Sequence, residues 1–139
     1  MPKIGKLKIF ADGASPGNPG PSGIAFTIKN EKNKIIFEDS EPVGFGTNIE
    51  AEYRAIIKSL EKASTYCDGE ILVFNDSETP IKQINGKYKV KEEHLKPLFE
   101  KVKKLENKFQ KVTFKNLTRE DPRIKRVDAL AKNAAGRNL

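Results

Sequence analysis

Histidine and cysteine occur once each among the 139 residues, as His94 and Cys67, and tryptophan does not occur at all. A single cysteine excludes an intrachain disulfide and fits a reducing compartment, so the expected location is the cytoplasm. One histidine and one cysteine also exclude a zinc cluster built on those ligands. Cys67 reads as a small, buried or half-buried hydrophobe near a helix end, and His94 as structural or surface exposed. Long apolar runs are missing as well, so no segment is expected to span a bilayer. The opening Met1-Pro2-Lys3-Ile4-Gly5-Lys6 leads into a strand-like pattern rather than the apolar centre of an export signal.

What is present in excess is positive charge: 26 Lys and Arg against 19 Asp and Glu leave a net charge of +7. Such a surplus draws a protein toward polyanions and makes the binding salt-sensitive. Apolar residues make up 37% of the chain and charged residues 32%. That is the balance of a globular protein with an economical core, and residues 1–139 are expected to form a single domain.

From Lys6 to Asp12 the side chains alternate, Leu7, Ile9 and Ala11 to one side and Lys8, Phe10 and Asp12 to the other, as on a strand with Asp12 at its end. Gly13 to Pro21 is dense in turn formers. Ile24, Phe26 and Ile28 alternate as a second strand, Asn30 to Asn33 turn, and Ile35-Ile36-Phe37 begin a third. Ile49, Tyr53, Ile56, Leu60, Ala63 and Cys67 recur at helical steps, with Asn48 as the expected cap and Asp68-Gly69 as the expected end. Ile71-Leu72-Val73-Phe74 is the unbroken apolar run of a strand covered on both faces, which after a helix implies a crossover and a mixed sheet. A short helix with Ile81 and Ile84 follows, then a helix over Glu92 to Glu106, a fifth strand at Val112 and Phe114, a charged loop from Leu117 to Lys125, and a last helix from about Arg126. The order is β-β-β-α-β-α-α-β-α, an α/β domain on five strands.

Four acids stand where an acid is poor structural economy. Asp12 ends the first strand, Glu52 borders the apolar stripe of the first long helix, Asp76 follows the covered strand, and Asp128 lies beside Val127 at the start of the last helix. Each has an ordinary explanation taken singly: Asp76 as a cap, Asp128 as a favourable charge at a helix start, Glu52 as a solvated helix residue. If the first and fourth strands are neighbours, however, all four converge. Clustered carboxylates resist ionisation unless a cation neutralises them, and an all-oxygen set suits Mg²⁺.

The chain resembles the type 1 ribonuclease H family over about nine tenths of its length. The resemblance rests on Phe10-Ala11-Asp12-Gly13-Ala14 with Asn18-Pro19-Gly20, on Gly46-Thr47-Asn48 with Ala51-Glu52-Tyr53-Arg54-Ala55, on Asn75-Asp76-Ser77, on Gln83-Ile84-Asn85-Gly86, and on Val127-Asp128-Ala129-Leu130-Ala131. It implies a ribonuclease H-like fold, with a mixed five-stranded sheet of order 3-2-1-4-5, strand 2 antiparallel and helices on both faces. It also implies that Asp12, Glu52, Asp76 and Asp128 are the catalytic and metal-holding positions. The implied reaction is hydrolysis of the RNA strand of RNA/DNA hybrids with two Mg²⁺ ions, Mn²⁺ being a possible substitute, to give 5′-phosphate and 3′-hydroxyl ends. Gly13, Ala14, Ser15, Asn18, Asn48, Ser77 and Glu78 are the implied substrate contacts.

The chain departs from the family pattern in several places. Ile49 stands where many relatives have a second Asn, Glu78 where Gln is common, and the loop before Asp128 lacks a histidine, leaving Arg119 or Arg123 as candidates for part of its role. Without tryptophan, and with a short connection after Gly86, the family's basic extension is missing. A monomer that touches no membrane is expected. Two alternatives stay open: a non-catalytic hybrid or duplex RNA-binding module of the same fold, and a nuclease that also takes double-stranded RNA.

Overall fold

The alternation from Lys6 to Asp12 becomes the middle strand of the sheet. In the computed structural model, which describes residues 3–138, β1 (Ile4–Ala14), β2 (Gly20–Lys29) and β3 (Ile35–Gly46) form the expected meander. Met1 and Pro2, read above as the lead-in to the first strand, and Leu139 lie outside the described residues. The chain continues through α1 (Asn48–Ala63), β4 (Cys67–Asn75), α2 (Glu78–Ile84), α3 (Lys96–Glu106), β5 (Lys111–Asn116) and α4 (Pro122–Ala135). The sheet order is β3-β2-β1-β4-β5. β2 runs antiparallel to β1 and β3, and β4 is parallel to β1 and β5. No helix among the described residues is long and apolar enough to cross a membrane.

Both sides of β1 are buried. Leu7, Ile9 and Ala11 pack with Tyr53, Ile56 and Leu60 of α1 and with Val102 and Leu105 of α3. Phe10 and Ala14 pack on the other side with Ile124, Val127 and Ala131 of α4. The placement of α4 depends on Gly23 of β2, where a β-carbon would lie 2.3 Å from the Ala131 carbonyl oxygen and 2.3 Å from the Ala135 nitrogen. The helix backbone therefore rests directly on the strand.

Four boundaries differ from the sequence expectation. α1 is capped by Thr47 rather than Asn48: Thr47 Oγ1 accepts from Glu50 N, and the Glu50 carboxylate accepts from Thr47 N, a reciprocal pair that satisfies two otherwise orphaned amides. Asn48 is thereby released for other contacts. α1 ends at Ala63, and Cys67 with Asp68-Gly69 belongs to β4, so the apolar steps of the helix run on into a buried strand residue. α4 begins at Pro122, with Asp121 accepting from Arg123 N at 2.9 Å and Pro122 needing no amide partner in the first turn. Asp128 consequently sits in the second turn rather than at the helix start. The stretch from Glu92 to Leu95 likewise precedes α3 instead of opening it.

Candidate active site

The parallel pairing of β1 with β4 aligns Phe10 with Phe74, whose rings stack at 5.1 Å. Two residues further along each chain stand Asp12 and Asp76, so the strand register itself brings these acids to the same level. Glu52 reaches them from α1. Its Oε1 accepts from Gly13 N and, at 3.2 Å, from Asn75 Nδ2, which also donates to the Ala11 carbonyl at 2.9 Å. Asn75 thus ties the ends of β1 and β4 to the helix carboxylate. Sequence reasoning placed Asn75 in a motif without giving it a role, because its partners lie far from it along the chain.

One oxygen each from Asp12, Glu52 and Asp76 can be taken such that all three lie within 4.8 Å of one another. Asp12 and Glu52 are buried, at 3% and 5% exposure. Burial, first of all, and then the charge of Glu52 hold the Asp12 carboxyl far above the ordinary carboxylate range, with Asp76 and Asp128 adding to the effect. Burial also raises Glu52, to about 7. Asp12 Oδ2 is buried and has no hydrogen-bond partner. An unpartnered buried carboxylate oxygen facing two more carboxylates is costly in a bare protein, and a divalent cation removes the cost. The all-oxygen donor set fits a hard ion of the Mg²⁺ or Mn²⁺ type.

Because both acids are raised, the protonated forms favour folding: that contribution is complete below the ordinary carboxylate value and is lost as pH rises through the folded value. For Glu52 the window runs from 4.5 to about 7. The gain in thermal midpoint on adding Mg²⁺ to metal-free protein is therefore expected to be larger at about pH 8 than at about pH 5.5. Differential scanning calorimetry with Mg²⁺ and with EDTA at both pH values checks this, and an equal gain at both would contradict it.

Asp128 stands beside this trio, its Oδ2 3.0 Å from Lys132 Nζ one helical turn on. Arg119 Nε lies 3.6 Å from Asp76 Oδ2. All four acids, Arg119 and Lys132 line one cleft of about 480 Å³, together with Gly13, Ala14, Ser15, Asn48 and Ser77. Within it, Ser15 N donates to Asn48 Oδ1 at 2.8 Å, and Asn18 Oδ1 accepts from Asn48 N at 3.0 Å. The Gly13 and Ser15 amides are thus engaged by the scaffold, and the Asn48 Nδ2 group, with no protein partner among the described residues, is left as a donor on the cleft wall.

Three of the expected substrate contacts lie elsewhere. Asn18 supports Asn48 without lining the cleft. Glu78 is paired with Lys82 and Tyr88 on the exposed side of α2. Arg123 is held by Asp121 at 2.8 Å and lies over the Phe10 ring at 4.8 Å, beside a separate hollow. Lys132 was missed, although its spacing of four from Asp128 on one helix is a signal legible in the sequence. His94 is on the surface, as expected, with Nε2 2.6 Å from Glu92 and Nδ1 3.4 Å from Glu50.

A family model described as reverse transcriptase-like matches residues 10–134. A bifunctional protein of Mycobacterium tuberculosis is 32% identical over 130 residues, which cover 93% of this chain and 35% of that protein. A ribonuclease HI of Halobacterium salinarum is 30% identical over 130 residues, 94% of this chain and 64% of that one. The chain thus spans about a third of the mycobacterial relative and under two thirds of the haloarchaeal one. Among solved structures, RNase H1 of Halobacterium salinarum superposes with a TM-score of 0.90 at 29% identity, covering 96% of this chain and 100% of that one. LC11-RNase H1 in complex with RNA/DNA hybrid gives a TM-score of 0.87 at 36% identity, covering 94% of this chain and 96% of that one.

Proposed function

Since the chain belongs to the type 1 ribonuclease H family, we propose that it is a metal-dependent endoribonuclease of the cytoplasm, formed by one domain, that hydrolyses the RNA strand of RNA/DNA hybrids. The observation that carries this reading is the trio of Asp12, Glu52 and Asp76, the first two buried, around an Asp12 oxygen that no group among the described residues satisfies. A module that only bound nucleic acid would have no use for such a cluster. The solved relative held with RNA/DNA hybrid supports the choice of substrate.

Asp12, Glu52, Asp76 and Asp128 are the residues that would hold a pair of Mg²⁺ or Mn²⁺ ions. The ions would supply a nucleophile from bound water and neutralise charge on the scissile phosphodiester and the departing 3′-oxygen. The chain's own groups do the rest. Asn75 and the Gly13 amide fix Glu52, so the cluster is preorganised before substrate arrives. Asn48 Nδ2 donates into the minor groove, where a 2′-hydroxyl or a base edge accepts it, and so contributes to telling RNA from DNA. Arg119, 83% exposed and loosely paired, is free to turn to a phosphate.

Labelled RNA/DNA hybrid, duplex RNA, duplex DNA and single-stranded RNA, each incubated with Mg²⁺, Mn²⁺ or EDTA, test the reading. Metal-dependent loss of the RNA strand of the hybrid alone, leaving 5′-phosphate and 3′-hydroxyl ends, is expected. Cleavage of duplex RNA at a similar rate would replace it with the broader nuclease, and no cleavage with any metal would replace it with a binding module. Arg119→Ala is expected to lower kcat/KM on hybrid by about tenfold. Arg123→Ala, whose guanidinium is occupied by Asp121, should show no comparable loss in the same steady-state assay.

A further inference from the structure

The carboxylates of the cleft divide into two kinds. Asp12 and Glu52 are buried, and neither forms an ion pair with a cationic side chain among the described residues. Asp76 and Asp128 each carry one, Arg119 at 3.6 Å and Lys132 at 3.0 Å. Asp128 is 31% exposed along its side chain and Lys132 63%, which makes theirs a pair in water at helical spacing, weak and inexpensive to break. A lysine suits a contact that must be given up, since its ammonium is a point charge on a flexible stem with three rotatable donors. Lys132 also lines the cleft itself, where a phosphodiester would have to lie to reach Asp12.

Resting on the functional reading above, we infer that Lys132 is a counter-ion residue that holds Asp128 in the metal-free protein, yields it to an entering divalent cation, and then turns its ammonium to the substrate's phosphodiester. The same charge cannot neutralise both partners at full strength. In the bare protein the ammonium limits repulsion between Asp128 and the buried acids and also opposes entry of a dication. With cation and nucleic acid in place, Asp128 no longer needs it and the phosphodiester does. Lys132 is on this account a positioning residue whose removal acts in opposite directions on metal and on nucleic acid. A solvated helix pair with no further role has no such signature.

Mn²⁺ affinity of the substrate-free protein, measured by electron paramagnetic resonance of the unbound ion, separates the two accounts. Lys132→Met is expected to bind Mn²⁺ about two- to fivefold more tightly than wild type. Its KM for hybrid should nevertheless rise, and the slope of log KM against log salt should flatten by roughly one. Lys132→Arg, which keeps the charge, should match wild type in Mn²⁺ affinity, and thermal midpoints of both variants verify folding. Should the Met variant prove unfolded, Lys132→Gln takes its place. Unchanged or weaker Mn²⁺ binding in the neutral variant overturns the inference. Tighter Mn²⁺ binding by the variant of a protein that cleaves no hybrid would overturn the functional reading and leave the pairing of Lys132 with Asp128 as inferred.

Discussion

Asp12→Asn is expected to leave less than about one thousandth of the hybrid-cleaving activity in Mg²⁺ while making the metal-free protein more stable. The two effects have one cause. The Asp12 carboxyl is buried beside Glu52 and Asp76 with Oδ2 unpartnered, and burial and like charge push it well above its ordinary range. An amide of the same shape removes the charge and supplies an N–H that neighbouring carboxylates accept. At about pH 8 in EDTA, the gain should be about 1–3 kcal/mol, several degrees in thermal midpoint. Single-turnover cleavage and calorimetry on the same preparation read both effects. Near-normal cleavage by the variant would remove Asp12 from the chemistry, and an unchanged or lower midpoint would show that its charge is already compensated within the protein.

Gly13→Ala should be the most disruptive single methyl at the site. A β-carbon there would lie 2.2 Å from the Ala51 carbonyl carbon, 2.4 Å from its oxygen and 2.5 Å from the Glu52 nitrogen. These are backbone atoms in α1, so no rotamer relieves the clash; strand and helix have to separate. The expected loss is about 3 kcal/mol or more by urea denaturation. The Gly13 amide also holds Glu52, so separation carries that carboxylate away from Asp12, and a displacement of about 1 Å is enough for a loss of roughly a hundredfold in kcat. Gly5→Ala, where an added methyl meets nothing within 4 Å, is the control and should stay within about 0.5 kcal/mol. Equal stability of the two variants would mean that the close approach of β1 and α1 does not govern the site.

The element order was legible because alternation and helical steps are local consequences of burial. The alternation of Leu7, Ile9 and Ala11 with Lys8, Phe10 and Asp12 described a strand, and the structure buries apolar residues on both of its faces. Asp12 and Asp76 were legible as a pair only on the condition that the first and fourth strands are neighbours, which the sheet order meets. Boundaries were less so. Asp121-Pro122 lies in a charged stretch that composition marks as loop, although an acid cap followed by proline opens a helix, and Asn48 is the favoured cap by residue type until the reciprocal bond of Thr47 with Glu50 is counted. The expected substrate contacts divided on a different ground. Asn48, Ser15 and Ser77 line the cleft, whereas Glu78 and Arg123 are taken up by Lys82 and Asp121 beside them. Which neighbour captures a charged side chain depends on rotamer and competition, and spacing alone does not rank the competitors.

By itself the sequence determined the alternating and helical periods, the acids at the strand ends and, through its motifs, the family. Those follow from each residue's own chemistry and its near neighbours. Tertiary structure alone decided that Gly13 and Glu52, 39 positions apart, share a hydrogen bond, and that Asn75 reaches back 64 positions to Ala11. It also decided that Asp12 is almost wholly shut off from water while Asp128 keeps a lysine. The physical reason is that ionisation and metal affinity depend on what surrounds a carboxylate in space, and solvent is excluded only once the strands and helices have closed around it.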